Sequence, residues 1–230
     1  MIETIIDVII PAFNEEKSIG KVISEIPSSW VRNVIVANNN STDNTKAVAQ
    51  NAGAVVVDQP KQGYGYACLK AMEYIGAQDQ QPDIVVFLDG DYSDYPEELV
   101  QLVQPILHEN VDMVIGSRVN ENLEKGAMMP QQIFGNWLAT TLIRLFYGYK
   151  FTDLGPFRAL KYDSLMAMEM EDKTYGWTVE MQVKAAKMKM KTTEIPVRYR
   201  KRIGVSKVSG TIKGTILAGY KILWTIFKLL

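Results

Sequence analysis

The amino-acid sequence predicts an α/β fold: a mainly parallel β-sheet flanked by helices, with a C-terminal amphipathic helix. Apolar, β-rich runs alternate with stretches of helical spacing through the first half of the chain, which is the order expected of βαβ units. The chain has 230 residues, of which 47% are hydrophobic and 22% charged, enough apolar material for one sizeable core. We therefore predict one domain over residues 1–210 and a helical extension over residues 211–230.

The predicted strands are short apolar runs, and each of the first four is followed by a helical pattern. Beyond Gly116 this alternation stops, and two helices, one strand and the C-terminal helix follow. The strands are predicted at 5–10, 31–37, 54–57, 83–88, 112–115 and 192–199. The helices are predicted at 16–26, 42–53, 63–77, 96–107, 130–147, 177–187 and 211–230.

Charge and cysteine content exclude several classes of function. The formal net charge is -1, whereas a protein that neutralises many phosphates of a nucleic acid needs a basic excess. Cys68 is the only cysteine and His108 the only histidine, which excludes an internal disulfide and a Cys/His zinc cluster. Residues 1–11 carry Glu3 and Asp7 and no cationic leader, so we predict a strand there rather than a signal peptide. These features favour a protein of the reducing cytoplasm with no nucleic-acid partner.

The C-terminal segment is the cationic part of the chain. No acidic residue follows Glu194, whereas eight lysines and arginines do. Lys221 and Lys228 share one face of a predicted amphipathic helix, whose uncharged runs are shorter than the roughly 20 residues that span a bilayer. The segment is predicted either to lie in an anionic membrane interface or to pack on the core or in a homodimer contact. The first alternative places the protein peripherally at the inner face of the membrane.

Two carboxylates follow the apolar strand predicted at 83–88. Asp89 and Asp91 are separated by Gly90, so both can reach one divalent cation at the sheet edge where open α/β sheets bind ligands. Such a cation would neutralise the charge that develops on a leaving diphosphate. The alternative is an ordinary turn, since Asp and Gly are both turn-forming residues. The buried strand directly before the pair favours the metal site.

Polar side chains also follow the first two predicted strands. Asn14 and Glu15 come after the first strand, and Asn38 and Asn39 come after the second. Such side chains can cap the helix that follows or face a ligand at the strand ends. Three polar loops at one edge of the sheet favour a ligand site over capping alone.

These motifs, taken in order, resemble the inverting family 2 glycosyltransferases of the GT-A fold. The chain has Pro-x-x-Asn-Glu, then an Asx-rich loop, then an apolar strand that ends in Asp-x-Asp. Further along it resembles the dolichol- and polyprenol-phosphate sugar synthase branch, and the similarity runs from residue 5 to about residue 210. The motifs that carry this second resemblance are Gly116-Ser117-Arg118, Thr152-Asp153-Leu154-Gly155-Pro156-Phe157-Arg158, Gly176-Trp177 with Glu180, and Gly204-Val205-Ser206-Lys207.

The resemblance implies a role for each matching residue. Asp89 and Asp91 would hold Mg²⁺ or Mn²⁺ on the diphosphate of a UDP- or GDP-linked sugar. Guanidinium and ammonium groups would bind phosphate oxygens, and Lys207 would lie in a flap that closes over bound substrate. The nucleotide pocket would be lined by Pro11, Asn14, Glu15, Asn38 and Asn39, and the phosphates would be contacted by Arg118, Arg158, Arg202 and Lys207.

The chemistry of the acceptor decides which side chains the transfer needs. A hydroxyl acceptor needs a general base, for which Asp153 and Glu180 are the candidates, whereas a phosphate acceptor is already anionic and needs none. In the second case Asp153 would position Arg158 or the sugar. The chain also lacks the arginine that the polyprenol-phosphate branch usually carries before its long helix, and Lys125 is the candidate substitute.

We therefore predict an inverting hexosyltransferase with a nucleotide-sugar donor and a polyprenyl-phosphate acceptor at the cytoplasmic membrane face. A transferase for a soluble sugar or another lipid is the second hypothesis. A nucleotidyltransferase is the third, although the loop Ala12-Phe13-Asn14-Glu15 is not the glycine- and basic-rich phosphate loop of that class. A non-catalytic module that binds nucleotide sugars is the last.

Overall fold

Strands and helices alternate through the first half of the protein. The structure is a computed structural model that describes residues 4–121, 123–204, 206 and 212–230. A one-turn 3₁₀ helix (Pro96–Glu98) precedes the fourth helix. The elements are β1 (Ile6–Ala12), α1 (Ile19–Glu25), β2 (Asn33–Asn38), α2 (Thr45–Asn51), β3 (Val55–Asp58), α3 (Tyr64–Gly76), β4 (Ile84–Phe87) and α4 (Leu99–Glu109). All of these were predicted, with differences of a few residues at their ends.

The second half contains one strand and one helix that the sequence analysis did not predict. Its elements are β5 (Met113–Ser117), α5 (Pro130–Tyr147), β6 (Arg158–Lys161), α6 (Tyr162–Ala167), α7 (Trp177–Lys187), β7 (Thr192–Pro196) and α8 (Ile212–Lys228). The unpredicted elements are β6 and α6. Strand β6 has only four residues, Arg-Ala-Leu-Lys, which are too few for an alternating pattern to mark it.

A seven-stranded sheet joins the two halves, in the order β3-β2-β1-β4-β6-β5-β7. The pairs β1–β2, β2–β3, β1–β4 and β5–β7 are parallel. Strand β6 is antiparallel to both of its neighbours, β4 and β5. The sheet is therefore mainly parallel, as predicted. Because β6 lies in the interior of the sheet, its side chains point into the covered layers on the two faces, which bears on the role of Arg158.

Both faces of the sheet are covered, which is why its strands are almost entirely apolar. Successive residues of β1 point to opposite faces: Ile9 packs in the layer with α3, α5 and α7, whereas Val8 and Ile10 pack in the layer with α1 and α4. Trp177, at the start of α7, is buried against Phe87 of β4, with ring centroids 6.1 Å apart. These layers hold the carboxyl ends of the parallel strands in place at one edge.

Helix α8 packs on the body of the protein along one face. Its Ile226 has no exposed surface and belongs to the layer with α5 and α7, and the hydroxyl of Tyr147 donates a 2.6 Å hydrogen bond to the Ile226 carbonyl. Lys221 pairs with Asp172 at 2.9 Å, so this lysine faces the body of the protein. Within the described residues, no helix is both long and apolar enough to cross a membrane.

Candidate active site

The two predicted metal-binding carboxylates lie directly after β4. Asp91 is buried, and its Oδ1 accepts hydrogen bonds from the backbone N–H and the hydroxyl of Ser93. Asp89 is half-buried, and its Oδ1 accepts a 3.0 Å hydrogen bond from the hydroxyl of Tyr64. Both carboxylates lie in the turn that follows β4, a strand held between β1 and β6.

Negative charge is concentrated around this pair. Burial, followed by the charge of Asp91, raises the pKa of Asp89 to about 6. Asp94 is also buried, and neither of its carboxylate oxygens has a hydrogen-bond partner within the described residues. Arg202 offsets part of the charge: its Nη2 lies 2.6 Å from Asp91 Oδ2 and 3.7 Å from Glu15 Oε1. The centre therefore carries more acidic than basic groups.

The arrangement fits a divalent cation. Carboxylate oxygens are the protein ligands that Mg²⁺ and Mn²⁺ prefer, and a cation would compensate the charge that Arg202 leaves unbalanced. No group of three or more His, Cys, Asp or Glu side chains forms a metal cage in the described part of the chain. In enzymes whose substrates carry phosphates, Mg²⁺ is usually bound by one or two carboxylates together with substrate phosphates and water. Asp89 and Asp91 are the residues that would hold the ion.

A cavity of about 360 Å³, which we call the donor cavity, lies at the ends of β1 and β2 beside the start of α3. Its wall includes Pro11 of β1, Glu15 of the first loop, Asn39 of the second loop and the two aspartates. Its volume is within the range of sites that hold small molecules. The carboxylates lie at one end of this cavity.

A second cavity, of about 520 Å³, runs from the same aspartates to the space between α5 and α8. We call it the apolar cavity. Apolar residues of both helices form most of its far wall, among them Ala139 of α5 and Ile222 of α8. Arg118 and Arg202 are the cations in its described wall. The residues shared with the donor cavity are Tyr64, Asp89, Asp91, Tyr175, Arg202 and Ser206.

Arg118 is held at the wall of the apolar cavity by Asp153. Its Nε and Nη2 donate to the two carboxylate oxygens of Asp153 at 2.8 and 2.7 Å, and its backbone N–H donates at 2.8 Å. Burial acts to raise the pKa of Asp153, but the charge and hydrogen bonds of Arg118 outweigh it and lower the pKa. The guanidinium also lies 5.0 Å from the ring centroid of Tyr199. Arg118 is therefore a fixed, desolvated cation.

The profile of glycosyl transferase family 2 matches residues 7–168, a segment that contains β1 to β6, both aspartates and the Arg118–Asp153 pair. The chain belongs to glycosyl transferase family 2. The family predicted from the motifs is thereby confirmed, and the protein is a glycosyltransferase.

This family 2 glycosyltransferase is similar to proteins of several organisms. It is 33% identical over 196 residues to glycosyltransferase AglJ of Haloferax volcanii, which covers 85% of this chain and 63% of that one. It is 29% identical over 224 residues to undecaprenyl-phosphate mannosyltransferase of Micrococcus luteus, with 90% and 88% covered. The crystal structure of glucosyl-3-phosphoglycerate synthase from Mycobacterium tuberculosis with Mn²⁺, UDP-glucose and phosphoglyceric acid matches with a TM-score of 0.78 at 21% identity, over 98% of this chain and 79% of that chain. This match confirms the GT-A fold class.

Arg158 does not reach either cavity of the glycosyltransferase, which corrects the expectation that it binds phosphate. It has no exposed surface, and its guanidinium donates to the carbonyls of Leu154, Gly155 and Thr178. Burial lowers its pKa to about 10. The reason is the unpredicted strand β6, from which the side chain points into the layer that contains α7 and contacts Thr178 and Met181 there. Asp153 accordingly positions Arg118 and not Arg158.

Glu180 is also turned away from both cavities, which corrects its expected role as a general base. Its two carboxylate oxygens accept hydrogen bonds from the backbone N–H groups of Glu171 and Asp172, at 2.9 and 2.6 Å. It also forms an ion pair of 2.8 Å with Lys184. Glu180 therefore holds the loop before α7 in place.

The asparagines of the first two loops mainly hold the donor cavity together. Asn14 has a positive φ of 54° and accepts a 2.8 Å hydrogen bond from the backbone of the second loop. Asn38 donates to Asp58 at 2.9 Å. Neither Asn14 nor Asn38 is part of the described wall of the donor cavity, whereas Asn39 is. The side-chain amide of Asn39 donates to the backbone carbonyl of residue 61 and accepts from the backbone N–H of residue 63. Asn39 is thus the asparagine of the three with direct access to a ligand.

Two lysines singled out from the sequence have different outcomes. Lys207 lies outside the described residues, so the flap remains a prediction, although Ser206 beside it lines both cavities. Lys125 is exposed and is not part of either described wall.

Sequence reasoning also missed Tyr64 and Tyr175, which line both cavities. The signal for Tyr64 was its place between two glycines, at the start of a helix that points at the site.

Proposed function

We propose that this glycosyltransferase is metal-dependent and inverting, and that it transfers a hexose from a UDP- or GDP-linked donor to a polyprenyl-phosphate-type lipid at the cytoplasmic membrane face. One observation carries the proposal: the aspartate pair lies in the walls of both the donor cavity and the apolar cavity. A hydrocarbon chain can fill the apolar branch while its phosphate reaches the centre. A soluble sugar would leave the apolar wall without a partner.

The donor side supports a nucleotide diphosphate sugar. Asp89 and Asp91 would hold Mg²⁺ or Mn²⁺, which when bound neutralises charge on the leaving diphosphate. Arg202 adds positive charge beside the pair, and its Nε has no hydrogen-bond partner within the described residues, so it can serve a phosphate oxygen. The Mycobacterium tuberculosis synthase binds Mn²⁺ and UDP-glucose in its crystal structure, which supports the same choice of cofactor and donor class.

The acceptor side supports an anionic oxygen as the nucleophile. In the described wall of the apolar cavity the only acidic residues are Asp89 and Asp91, so no separate carboxylate is free to remove a proton. A phosphate oxygen needs no such base: it forms the bond to the anomeric carbon as the bond from that carbon to the diphosphate breaks, and the electron pair leaves with the nucleotide. Arg118, fixed by Asp153, faces the space where the acceptor phosphate would lie.

The names of similar proteins point to two acceptor classes. The Micrococcus luteus relative is named for undecaprenyl phosphate, whereas the Mycobacterium tuberculosis structure contains the soluble phosphoglyceric acid. Both molecules carry phosphate, so cationic side chains alone do not distinguish them. The apolar cavity favours the lipid.

On this proposal a lipid bilayer covers the outer faces of α5 and α8. The two helices that wall the apolar cavity also expose aromatic side chains, including Trp137 (58% exposed) and Trp224 (51% exposed). A lipid acceptor would therefore pass from the bilayer into the cavity without crossing a polar surface. Lys221 and Lys228 pair with Asp172 and Glu171, so the aromatic face rather than these two lysines supplies the contact.

The acceptor class is tested by filling the apolar cavity. Gly135 of α5 lines that cavity, and a Cβ added there meets no atom within 4 Å. We expect the protein with Mn²⁺, undecaprenyl phosphate and UDP-glucose or GDP-mannose to form a sugar lipid. Gly135→Phe should slow lipid transfer at least about tenfold, since a loss of about 1.4 kcal/mol in acceptor binding suffices. It should leave stabilisation by nucleotide and Mn²⁺ unchanged.

Thr141→Phe is the matched control for this experiment. Thr141 is exposed on the same helix and is not part of the cavity wall, so the added ring should not affect transfer. Transfer to 3-phosphoglycerate with none to the lipid would overturn the proposal. Equal lipid transfer by Gly135→Phe and Thr141→Phe would contradict the placement of the acceptor.

A further inference from the structure

Tyr64 lies in the walls of both the donor cavity and the apolar cavity. Its hydroxyl donates a 3.0 Å hydrogen bond to Asp89 Oδ1, and its side chain lines both cavities. A carboxylate oxygen can only accept in this bond, so the phenol hydroxyl of Tyr64 is the donor. The tyrosine therefore contacts one of the two carboxylates that would hold the cation.

Two glycines deliver this side chain to the centre. A Cβ at Gly63 would lie 2.2 Å from the carbonyl oxygen of Lys173, and a Cβ at Gly65 would lie 2.0 Å from that of Asp172. Both distances are shorter than any real contact, and both neighbours are backbone atoms that cannot rotate away. Only glycine on each side of Tyr64 lets α3 begin against the 172–173 backbone. The Gly-Tyr-Gly sequence is thus a requirement of this close approach.

The backbone that receives these glycines is itself held firmly. Glu180 accepts hydrogen bonds from the N–H groups of Glu171 and Asp172, and the Asp172 carboxylate accepts from the N–H groups of residues 174 and 176. Lys221 of α8 pairs with the same carboxylate at 2.9 Å. The position of the Tyr64 hydroxyl is therefore set by contacts that reach α7 and α8. Such supporting contacts are needed to fix the direction of the hydrogen bond from Tyr64 to Asp89.

We propose that Tyr64 is a positioning residue for the cation site, which it serves by fixing the orientation of the Asp89 carboxylate through the hydrogen bond to Oδ1. A carboxylate that already has one oxygen oriented loses less conformational freedom when it ligates a metal, and removal of such an outer partner typically weakens metal binding 10- to 100-fold. The inference rests on the proposed function, because it requires that Asp89 ligates a divalent ion. It assigns no contact between Tyr64 and the reacting atoms.

The test measures binding of Mn²⁺ in the absence of an acceptor. We expect Tyr64→Phe to raise the Kd of Mn²⁺, determined by electron paramagnetic resonance titration in the presence of UDP, by about tenfold. The substitution removes only the hydroxyl, so the melting temperature without ligand should change little. In the transfer assay the variant should need more Mn²⁺ for half-maximal rate, and saturating Mn²⁺ should restore most of kcat. A merely structural defect would not be restored by the metal.

Tyr66→Phe is the matched control, two residues further along the same helix. The Tyr66 ring lies near the ammonium groups of Lys61 and Lys173, with Nζ atoms 5.8 and 5.9 Å from its centroid, and Tyr66 is not part of either described cavity wall. Its variant should bind Mn²⁺ like the unsubstituted protein. Equal Kd values for Tyr64→Phe and the unsubstituted protein would overturn this inference alone. If the unsubstituted protein shows no Mn²⁺ binding that is lost in Asp91→Ala, both the proposed metal dependence and this inference are overturned.

Discussion

At the scale of single residues, Asp153 contributes to stability in a way that depends on pH. It has no exposed surface, and Arg118 lowers its pKa below the usual value of 3.8. A carboxylate whose pKa is lower in the folded than in the unfolded state stabilises the fold at pH values above its unfolded pKa, and this contribution is lost as the pH falls through the folded value. The same low pKa makes Asp153 a weak base. This agrees with the proposed phosphate acceptor, which needs no base.

Replacement of Asp153 by Asn should therefore destabilise the protein strongly at neutral pH. Arg118 would keep its buried charge without a counter-charge, for which we expect a loss of about 3–5 kcal/mol in the free energy of unfolding at pH 7. The difference between the two proteins should shrink below about pH 4, where the carboxylate begins to bind a proton in the unfolded state while it stays ionised in the folded state. Urea unfolding at pH 7, 5 and 3.5 measures this. The exposed Asp163→Asn is the control, with an expected change within about 0.5 kcal/mol. A difference that stays constant with pH would contradict the assignment.

At the scale of helices, α5 and α8 each have one buried and one exposed apolar face. In α5 the exposed Phe134 and Trp137 have ring centroids 5.8 Å apart, and in α8 the exposed Tyr220 and Trp224 stack at 6.3 Å. Helices that are apolar on all sides are normally covered. Aromatic side chains are also the residues that favour the membrane–water interface. Under the proposed function, these exposed faces are the surface that would contact the membrane.

The double substitution Tyr220→Ser/Trp224→Ser should weaken binding to phosphatidylglycerol vesicles. Because burial of one large apolar side chain contributes roughly 1.5–3 kcal/mol, we expect partition to fall by at least about tenfold in a sedimentation assay. Trp30→Ser is the control, since Trp30 is exposed (37%) and lies far along the chain from both helices. Unchanged vesicle binding by the double variant would contradict the proposed membrane surface. Conversion of a dimer to a monomer, without an effect on vesicle binding, would instead identify the faces as a homodimer contact.

At the scale of the whole molecule, the relation of α8 to the rest of the protein decides whether residues 211–230 form a separate extension. Ile226 is completely buried in the layer that contains α5 and α7, and α8 also supplies part of the wall of the apolar cavity. A helix that only lay on a membrane would contribute neither. We infer that α8 is part of the folding unit.

Removal of residues 212–230 should therefore lower the free energy of unfolding by at least about 3 kcal/mol, given the apolar surface that Ile226 and its neighbours would expose. Thermal unfolding of the full and the shortened chain measures the loss. The Tyr220→Ser/Trp224→Ser variant is the matched control, because it changes only exposed side chains of the same helix and should keep its melting temperature. A shortened chain that melts like the full one would support two separate units, divided near residue 210.

Sequence patterns predicted a mainly parallel sheet and the carboxylates at its edge, because both depend on local periodicity. Apolar runs of four to seven residues mark the strands of a covered parallel sheet wherever polar loops bound them, and Asp89 and Asp91 follow such a run directly. Strand β6 escaped prediction because its four residues have no period of their own and their pairing partners, β4 and β5, are distant in the chain. The misplacement of Arg158 at a phosphate site follows from that single missed strand.

The sequence by itself determined the family, the α/β fold and the edge of the sheet at which chemistry can occur, since each depends on residues close together in the chain. Only the tertiary structure decided which charged side chains face the site. Arg118, Arg158 and Glu180 all lie in motifs that carry the family resemblance. Arg118 lines the apolar cavity, whereas Arg158 and Glu180 form hydrogen bonds with backbone groups. The apolar cavity was equally inaccessible to sequence reasoning, because its walls come from α5 and α8. Their approach to each other depends on packing against α7, and no local pattern encodes that contact.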